Sequence, residues 1–526
     1  MSIATVMCRA QLGLHAPLVQ VEVSLESGLP VFGMVGLPAT VVKESKDRVR
    51  AAIVNSSFEF PAGRITVSLS PADIPKRGGR FDLPIALGIL LASGQIKLHP
   101  AHGDDARVLE FYGELGLSGE LRSVPGMLLA AAHAARDGHQ ILIPQANTDE
   151  VRVLLGGAAA PAIPAMAKRA GPIVRAADHL LAVCAHLDGS VPLPTLARLL
   201  PHKALLVADT SLDLSDVRGQ LQAKRALTVA AAGGHSLLMR GPPGAGKSML
   251  AMRLPGLLPP MTESESLEVA AISSVSGTGF NAGNFGRRPV RTPHHTASAV
   301  ALIGGASIAR PGEISLAHHG VLFLDELLEY DRRALEALRE PLESGVVCIA
   351  RATHHTQYPA QFQLVAAMNP CPCGRFGDPL GNCGCTPAER ARYLSRLSAP
   401  LLERFDIHLE VPRVDLSEFE QSSMPVESSA DTVVRVTRAR DIQLARQGKC
   451  NARLMDGQIE RVCSPDKEGR EILDRAMKVL GFSARARQRV LKLARTIADL
   501  RGDAAVGAPH VSEAVTFRAF DRRPQA

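Results

Sequence analysis

Apolar and polar positions alternate at Val19–Leu25 (Val-Gln-Val-Glu-Val-Ser-Leu) and at Arg64–Leu69 (Arg-Ile-Thr-Val-Ser-Leu), the period-two pattern of strands with one buried face. Elsewhere in the first third the pattern changes to runs that are apolar throughout. Leu83–Ser93 and Val124–Ala135 are rich in small apolar residues and long enough for helices, and Gln140–Pro144 reads as a buried strand. Residues 1–165 are therefore predicted to form an α/β domain. Gly156–Gly171 is rich in Ala, Pro and Gly, and 166–211 is predicted to link this domain to the next, with a short helix over Ala176–Leu187. A second α/β unit is predicted over 212–414. In it His235–Met239, Val321–Leu324, Val346–Arg351 and Phe362–Met368 are strand-like, and Arg332–Leu342 is helical. The polar, Ser-rich stretch Glu418–Asp431 precedes a third unit, 430–526, with a helical pattern; Ser483 opens a basic amphipathic helix that runs to Leu500. The fold class predicted is multidomain α/β with a helical C-terminal part.

Between the strand His235–Met239 and a helix over Met249–Leu254 stands Gly241-Pro242-Pro243-Gly244-Ala245-Gly246-Lys247-Ser248, which matches G-x-x-x-x-G-K-[ST]. Glycines at these places let backbone N–H groups turn inward on a phosphate. Lys247 is expected to reach the β/γ-phosphates of ATP, and the Ser248 hydroxyl to hold Mg²⁺. Val321-Leu322-Phe323-Leu324 ends in Asp325 and Glu326. Asp325 is expected to hold the same Mg²⁺, and Glu326 to polarise the attacking water. Asn369, at the end of Phe362–Met368, suits a residue that senses the γ-phosphate and helps orient that water. Cys371, Cys373, Cys383 and Cys385 form two C-x-C pairs nine residues apart, a spacing at which four thiolates can close a tetrahedral Zn²⁺ site; redox-active thiols are the alternative reading. Cys8, Cys184, Cys348, Cys450 and Cys463 are isolated.

Composition narrows the partners. The chain carries a formal net charge of +7 over 526 residues, which permits a polyanionic partner without requiring one. It has no Trp and only 4% aromatic residues, so base stacking is not its main mode of binding. From Arg470 to Ala526 twelve Lys/Arg face six Asp/Glu, a local excess of six. No apolar run reaches the ~18 residues needed to span a bilayer, and the first residues lack a signal-peptide pattern, so a cytoplasmic location is expected.

The P-loop, His-Gly-Val-Leu-Phe-Leu-Asp-Glu at 319–326, Met-Asn-Pro at 368–370, Glu-Arg-Phe-Asp at 403–406 and Ala-Arg-Thr-Ile-Ala-Asp-Leu at 494–500 together resemble the magnesium-chelatase-like AAA+ ATPases. Within that group, Arg-Thr-Pro-His-His-Thr at 291–296, the cysteine cluster and the N-terminal part are similar to the ComM/YifB competence family. The N-terminal part itself resembles the proteolytic domain of Lon-type proteases in Tyr112–Glu120 and in Ile141–Pro144 with Asn147. Its nucleophile turn, however, reads Gly78-Gly79-Arg80-Phe81-Asp82, and no lysine lies between Lys97 and Lys168, so the Ser-Lys dyad is missing. The resemblance implies a hexameric, ATP-driven motor that promotes branch migration on DNA during natural transformation. It implies Gln220 near the adenine, Arg404 as an arginine finger reaching the neighbouring subunit's γ-phosphate and Arg485 as a lid arginine closing over the same nucleotide. A hairpin before Asn369 would face a central pore, with Arg351 gripping DNA phosphates. A surface Arg404 paired with Asp406 is the plainer reading of that arginine. Alternative functions are a magnesium-chelatase-type subunit, for which the chain lacks a D-x-S-x-S site, and a protein-remodelling ATPase.

Overall fold

The computed structural model describes residues 2–36, 40–99, 109–156, 173–196, 212–305, 309–350, 355–378, 381–413, 427–518 and 520, with backbone alone at 40–43, 350 and 355. Its first unit is built on a seven-stranded mixed sheet. The order is Val31–Val35, Arg64–Ser70, Leu18–Glu26, Ser2–Arg9, Leu109–Phe111, Gln140–Pro144, Ile173–Ala177. Ser2–Arg9 pairs antiparallel with Leu18–Glu26 and parallel with Leu109–Phe111. The helix Asp82–Ala92 is buried along almost its whole length, as its unbroken apolar sequence demands. One charge is taken inside: Arg9, 1% exposed, donates to both oxygens of Glu110 and to Asp137 at 2.7 Å, the pairing a buried guanidinium needs.

The stretch expected to act as a linker, 166–211, instead supplies the seventh strand of this sheet, Ile173–Ala177, and the helix Leu180–Leu187. The predicted helix therefore begins later than Ala176. The Ala/Pro/Gly bias just upstream concealed a short strand with few alternating positions.

The second unit carries a five-stranded sheet, parallel throughout, in the order Val290–Arg291, Val321–Leu324, Gln363–Met368, Leu237–Arg240, Ile407–Glu410. Numbered along the chain this is 2-3-4-1-5, so the first strand lies between the fourth and the fifth. Successive residues of these strands serve different cores. Leu238, Leu322, Leu324, Leu364 and Ala366 join the hydrophobic cluster of the N-terminal unit, whereas Leu237, Met239, Phe323, Val365, Ile407 and Leu409 join that of the helical region. Such sheets are apolar on both faces because both are covered. The N-terminal unit is also hydrogen-bonded to the helix Glu263–Ser274: Gly126 N donates to Ser274 O at 2.9 Å, and Ser274 Oγ to Glu150.

One expectation is corrected here. Arg332–Leu342 is not one helix but two, Arg332–Glu336 and Arg339–Ser344, the second holding Pro341 near its start. The hairpin expected before the strand that ends at Asn369 is present: Val346–Ala350 pairs antiparallel with His355–Pro359, whose sequence reads as a polar loop. The hairpin thus stands clear of the sheet. Arg351 and His354 lie outside the described residues.

The C-terminal region is helical: Ser429–Gln447, Asp456–Val462, Lys467–Leu480, Ala484–Arg501 and Ala508–Thr516. Its long helices start on capping side chains, Ser428, Asp466 and Ser483, and stop at left-handed glycines, Gly448, Gly481 and Gly502. Asp406 fastens this region to the core. It is 2% exposed and accepts from Arg489 Nη1 at 2.6 Å and lies 3.0 Å from His235 Nδ1, whose Nε2 in turn meets Thr496 Oγ1 at 2.7 Å. Burial raises its pKa, but Arg489 and His235 outweigh that and hold the carboxyl well below the usual range. Asp406→Ala is expected to cost about 3 kcal/mol by leaving its buried partners unmatched. The readout is a fall in melting temperature, with Glu410→Ala, whose carboxylate is 60% exposed, as a neutral control. Among the described residues no helix is long and apolar enough to cross a membrane.

Candidate nucleotide-binding site

In a parallel sheet, ligands bind beyond the carboxyl ends of the strands, where neighbouring connections diverge. Here Leu237–Arg240 runs into the Gly241–Ser248 loop, Val321–Leu324 into Asp325 and Glu326, and Gln363–Met368 into Asn369. Three adjacent strands deliver these groups to one edge. Gly246 has φ 87, a left-handed conformation that favours glycine, and passes directly into the helix Lys247–Ala251.

Lys247 is 9% exposed, and its Nζ donates to Gly241 O at 2.6 Å, Pro242 O at 3.0 Å and Asn369 Oδ1 at 3.2 Å. Burial lowers its pKa from the ordinary lysine value, while the Asp325 and Glu326 carboxylates push it back up. Ser248 Oγ donates to Asp325 Oδ2 at 2.6 Å, so the two groups expected to hold Mg²⁺ already face one another. Glu326 N donates to Asp325 Oδ1 at 2.9 Å, and Glu326 itself sits at φ 49, ψ 47. A left-handed non-glycine residue costs on the order of 1–3 kcal/mol, so the surrounding fold must hold it there. Its carboxylate projects toward His295, with Nδ1 3.4 Å away.

Gln220 Nε2 donates to Pro412 O at 2.7 Å, and Arg413 Nη2 to Pro243 O at 3.4 Å, so the segments 216–220 and 411–413 flank the loop. The structure therefore brings together the whole 241–248 loop, Asp325, Glu326 and Asn369, with Gln220 beside them.

It places Arg404 and Arg485 elsewhere. Arg404 donates to Arg339 O at 3.1 Å and Pro400 O at 2.8 Å and pairs with Glu343 rather than Asp406. Arg485 lies 3.4 Å from Glu403. Ser236 precedes the first strand and bonds to Arg404 O and Asp406 N, which fixes this cluster at the amino edge of the sheet. The two edges are separated by the length of a four-residue strand, about 13 Å. Arg485 thus stands with Arg404 at the amino edge and not beside the chain's own phosphate loop; its helix packs on the helices Leu221–Gly233, Ser429–Gln447 and Ala508–Thr516. Both arginines, with Arg288, Arg489 and Lys492, line a cavity of about 850 Å³ between core and helical region.

The four cysteines converge. Cys371 Sγ lies 3.4 Å from Cys373 and 3.7 Å from Cys383, and Cys373 lies 3.6 Å from Cys383. Cys385 belongs to the same group, with all ligand atoms within 4.8 Å of one another. Four thiolates at about 2.3 Å from one zinc stand about 3.8 Å apart, so the donor set fits a tetrahedral Zn²⁺. Glu268, His318 and His319 form a second close group, but a different one. His318 Nδ1 accepts the Gln361 N–H at 3.0 Å, which leaves the ring proton on Nε2, 3.1 Å from Glu268. That is a buried hydrogen-bond network without a free lone pair on His318 for a metal.

Sequence reasoning missed His295. The strand stops at Arg291, and the His294 and His295 rings sit side by side with centroids 4.1 Å apart. Sequence reasoning also missed Arg413 and Asp406, since no local pattern marks a partner more than a hundred residues away.

Comparison with known proteins identifies the family. Residues 213–419 match the family described as magnesium chelatase, subunit ChlI; residues 21–147 match subunit ChlI of Mg-chelatase; and 426–518 match the ChlI C-terminal part. The chain is 46% identical over 523 residues to the competence protein ComM of Haemophilus influenzae, covering 99% of this chain and 98% of that protein. It is 47% identical over 529 residues to the uncharacterized protein YifB of Escherichia coli, with the same coverage. It is 40% identical over 520 residues to the uncharacterized protein Rv2897c of Mycobacterium tuberculosis, covering 96% of each. Membership of this magnesium-chelatase-like AAA+ group suggests ATPase activity with ATP and Mg²⁺. The chain belongs to the ComM/YifB family.

Proposed function

We propose that the protein is a cytoplasmic, ring-forming ATPase, a hexamer, that moves along branched DNA and promotes branch migration during recombination in natural transformation. The observation that carries this is the split of the site. Lys247, Ser248, Asp325, Glu326 and Asn369 meet at one edge of the sheet, while Arg404 and Arg485 stand at the other. Among the described residues, then, a single chain brings neither of these two arginines to its own phosphate loop. A ring in which each chain lends Arg404 and Arg485 to its neighbour completes every site, and Arg485 then acts between subunits. The DNA half of the reading draws on the printed name of the Haemophilus relative, a competence protein.

Within the site, Lys247 binds phosphate oxygens in place of the loop carbonyls that now hold it, and Ser248 with Asp325 holds the magnesium ion. Bound Mg²⁺·ATP supplies the transferable phosphoryl group and the cation that offsets its charge. Glu326 takes the proton of the attacking water, and the Asn369 amide keeps that water in line. Gln220 sits where the adenine enters. The four cysteines hold a structural zinc, since four protein thiolates leave no open coordination position. The domains follow as a Lon-like N-terminal unit, the ATPase core and a helical lid. In the Lon-like unit the turn at Asp82 is ion-paired with Arg48 at 2.8 Å and accepts the Leu115 N–H, so it carries no free nucleophile.

The deciding measurement is ATPase rate without polymer and with single strands, duplex, four-way junction or unfolded protein. Stimulation strongest with the junction supports the reading. Stimulation by unfolded protein alone favours a protein-remodelling ATPase, and none at all favours a chelatase-type subunit. Arg351→Ala is expected to keep basal hydrolysis and lose the DNA-stimulated part and junction unwinding. DNA binding by the intact ring should fall steeply with salt, as phosphate contacts release counterions. Wild-type unwinding by the variant would remove Arg351 from the DNA path.

A further inference from the structure

Asn369, Pro370 and Cys371 are consecutive, so the strand that presents the phosphate-facing amide runs straight into the first thiol of the cysteine cluster. Cys371 is fully buried, and its sulfur accepts the Phe376 N–H at 3.4 Å. Its carbonyl accepts the Gly374 N–H at 2.9 Å, closing a tight turn. Gly374 has φ 75 and lies flat against the Pro243 ring of the phosphate loop. A Cβ added there would meet Pro243 Cδ at 2.7 Å and Asn369 Cγ at 3.9 Å. The far side of the loop is tied to the same residue by a second route. Asp378 pairs with Arg413 at 3.6 Å, and Arg413 donates to Pro243 O at 3.4 Å. Downstream, Arg390 stacks over Phe376 at 4.2 Å and donates to Cys385 O.

The described parts of 371–386 contain no strand or helix, so regular hydrogen bonding does not shape this loop. What draws it together is the convergence of four sulfurs. Thiolates 3.4–3.7 Å apart repel one another unless a cation sits among them.

We propose that the four-cysteine loop is a zinc-held brace on the phosphate loop, so that metal occupancy sets nucleotide affinity. This rests on reading the cysteines as zinc ligands and the 241–248 loop as the nucleotide site. Zinc binding displaces the thiol protons, fixes Cys371 and Cys373, and keeps Gly374 seated on Pro243 and Asn369 beside Lys247. Without the metal the turn opens, Pro243 loses its support, and the loop no longer presents its N–H groups together.

The test uses the full-length chain. Zinc is counted by elemental analysis, and affinity is measured with a fluorescent ATP analogue before chelation, after chelation and after zinc is returned. About one zinc per chain is expected, with affinity about tenfold weaker on its removal and restored by zinc but not by magnesium. Gly374→Ala keeps all four cysteines, so it should retain zinc and still weaken the analogue about tenfold by forcing the turn off Pro243. Unchanged affinity in both the stripped chain and Gly374→Ala overturns the brace, as does a well-folded chain that contains no zinc. If chelation unfolds the chain, seen in its melting curve, Gly374→Ala decides alone. Lys247→Ala separates the premises: it should lose the analogue and keep zinc, and retained binding would overturn the nucleotide-site reading instead.

Discussion

Glu326→Gln binds ATP as tightly as the unaltered chain and turns it over on the order of a hundredfold more slowly, or worse. The substitution is close to isosteric. It leaves the Ser248–Asp325 bond and all three partners of Lys247 in place, because Glu326 contributes only its backbone N–H to that arrangement. What it removes is a group able to take a proton. The carboxylate is 56% exposed and holds no partner on which the fold depends, so the variant should melt with the unaltered chain. Equilibrium binding of a fluorescent nucleotide and phosphate release, measured on the same preparation, separate the two steps. Normal turnover would displace Glu326 from its role and point to another base.

Arg404→Ala loses turnover by on the order of a thousandfold while still binding ATP, the scale seen for an arginine finger. Its own nucleotide site is untouched, since Arg404 lies at the opposite edge of the sheet. The simplest competing explanation is damage to the fold. Truncation also removes hydrogen bonds to Arg339 O and Pro400 O and the pair with Glu343, so a melting curve must accompany the assay. Mixing decides the matter. Lys247→Ala lacks a working phosphate loop but has an intact Arg404; Arg404→Ala has the reverse. Rings assembled from both should hydrolyse ATP although neither does alone. Failure of every mixture to recover activity would sink the shared-site arrangement.

Most of the site's carboxyl edge was legible in the sequence, because its residues follow directly on strands whose apolar runs are unmistakable. The loop at 241–248, Asp325, Glu326 and Asn369 each end such a run, and parallel strands deliver their ends to one side. The cysteine spacing was legible for the same local reason. Arg485 was not. Its helix was readable from Ser483 onward, but which face of the core that helix covers depends on Asp406, Arg489 and His235 meeting across the fold. Nor could alternation reveal Ile173–Ala177, a five-residue strand whose place is fixed by pairing with Gln140–Pro144. The second strand of the hairpin, His355–Pro359, could not be bounded from sequence because it is short and polar, beside the far clearer apolar run Gln363–Met368. That run is strong because it lies in the middle of the sheet, buried on both faces.

Asp406 touches three things at once: the residue before the strand that feeds the phosphate loop, the turn that carries Arg404, and a helix of the C-terminal region. One residue thus ties all three together. The strand that leads into the phosphate loop and the turn that carries Arg404 therefore share one anchor. In the ring proposed above, that link would couple each site to the next.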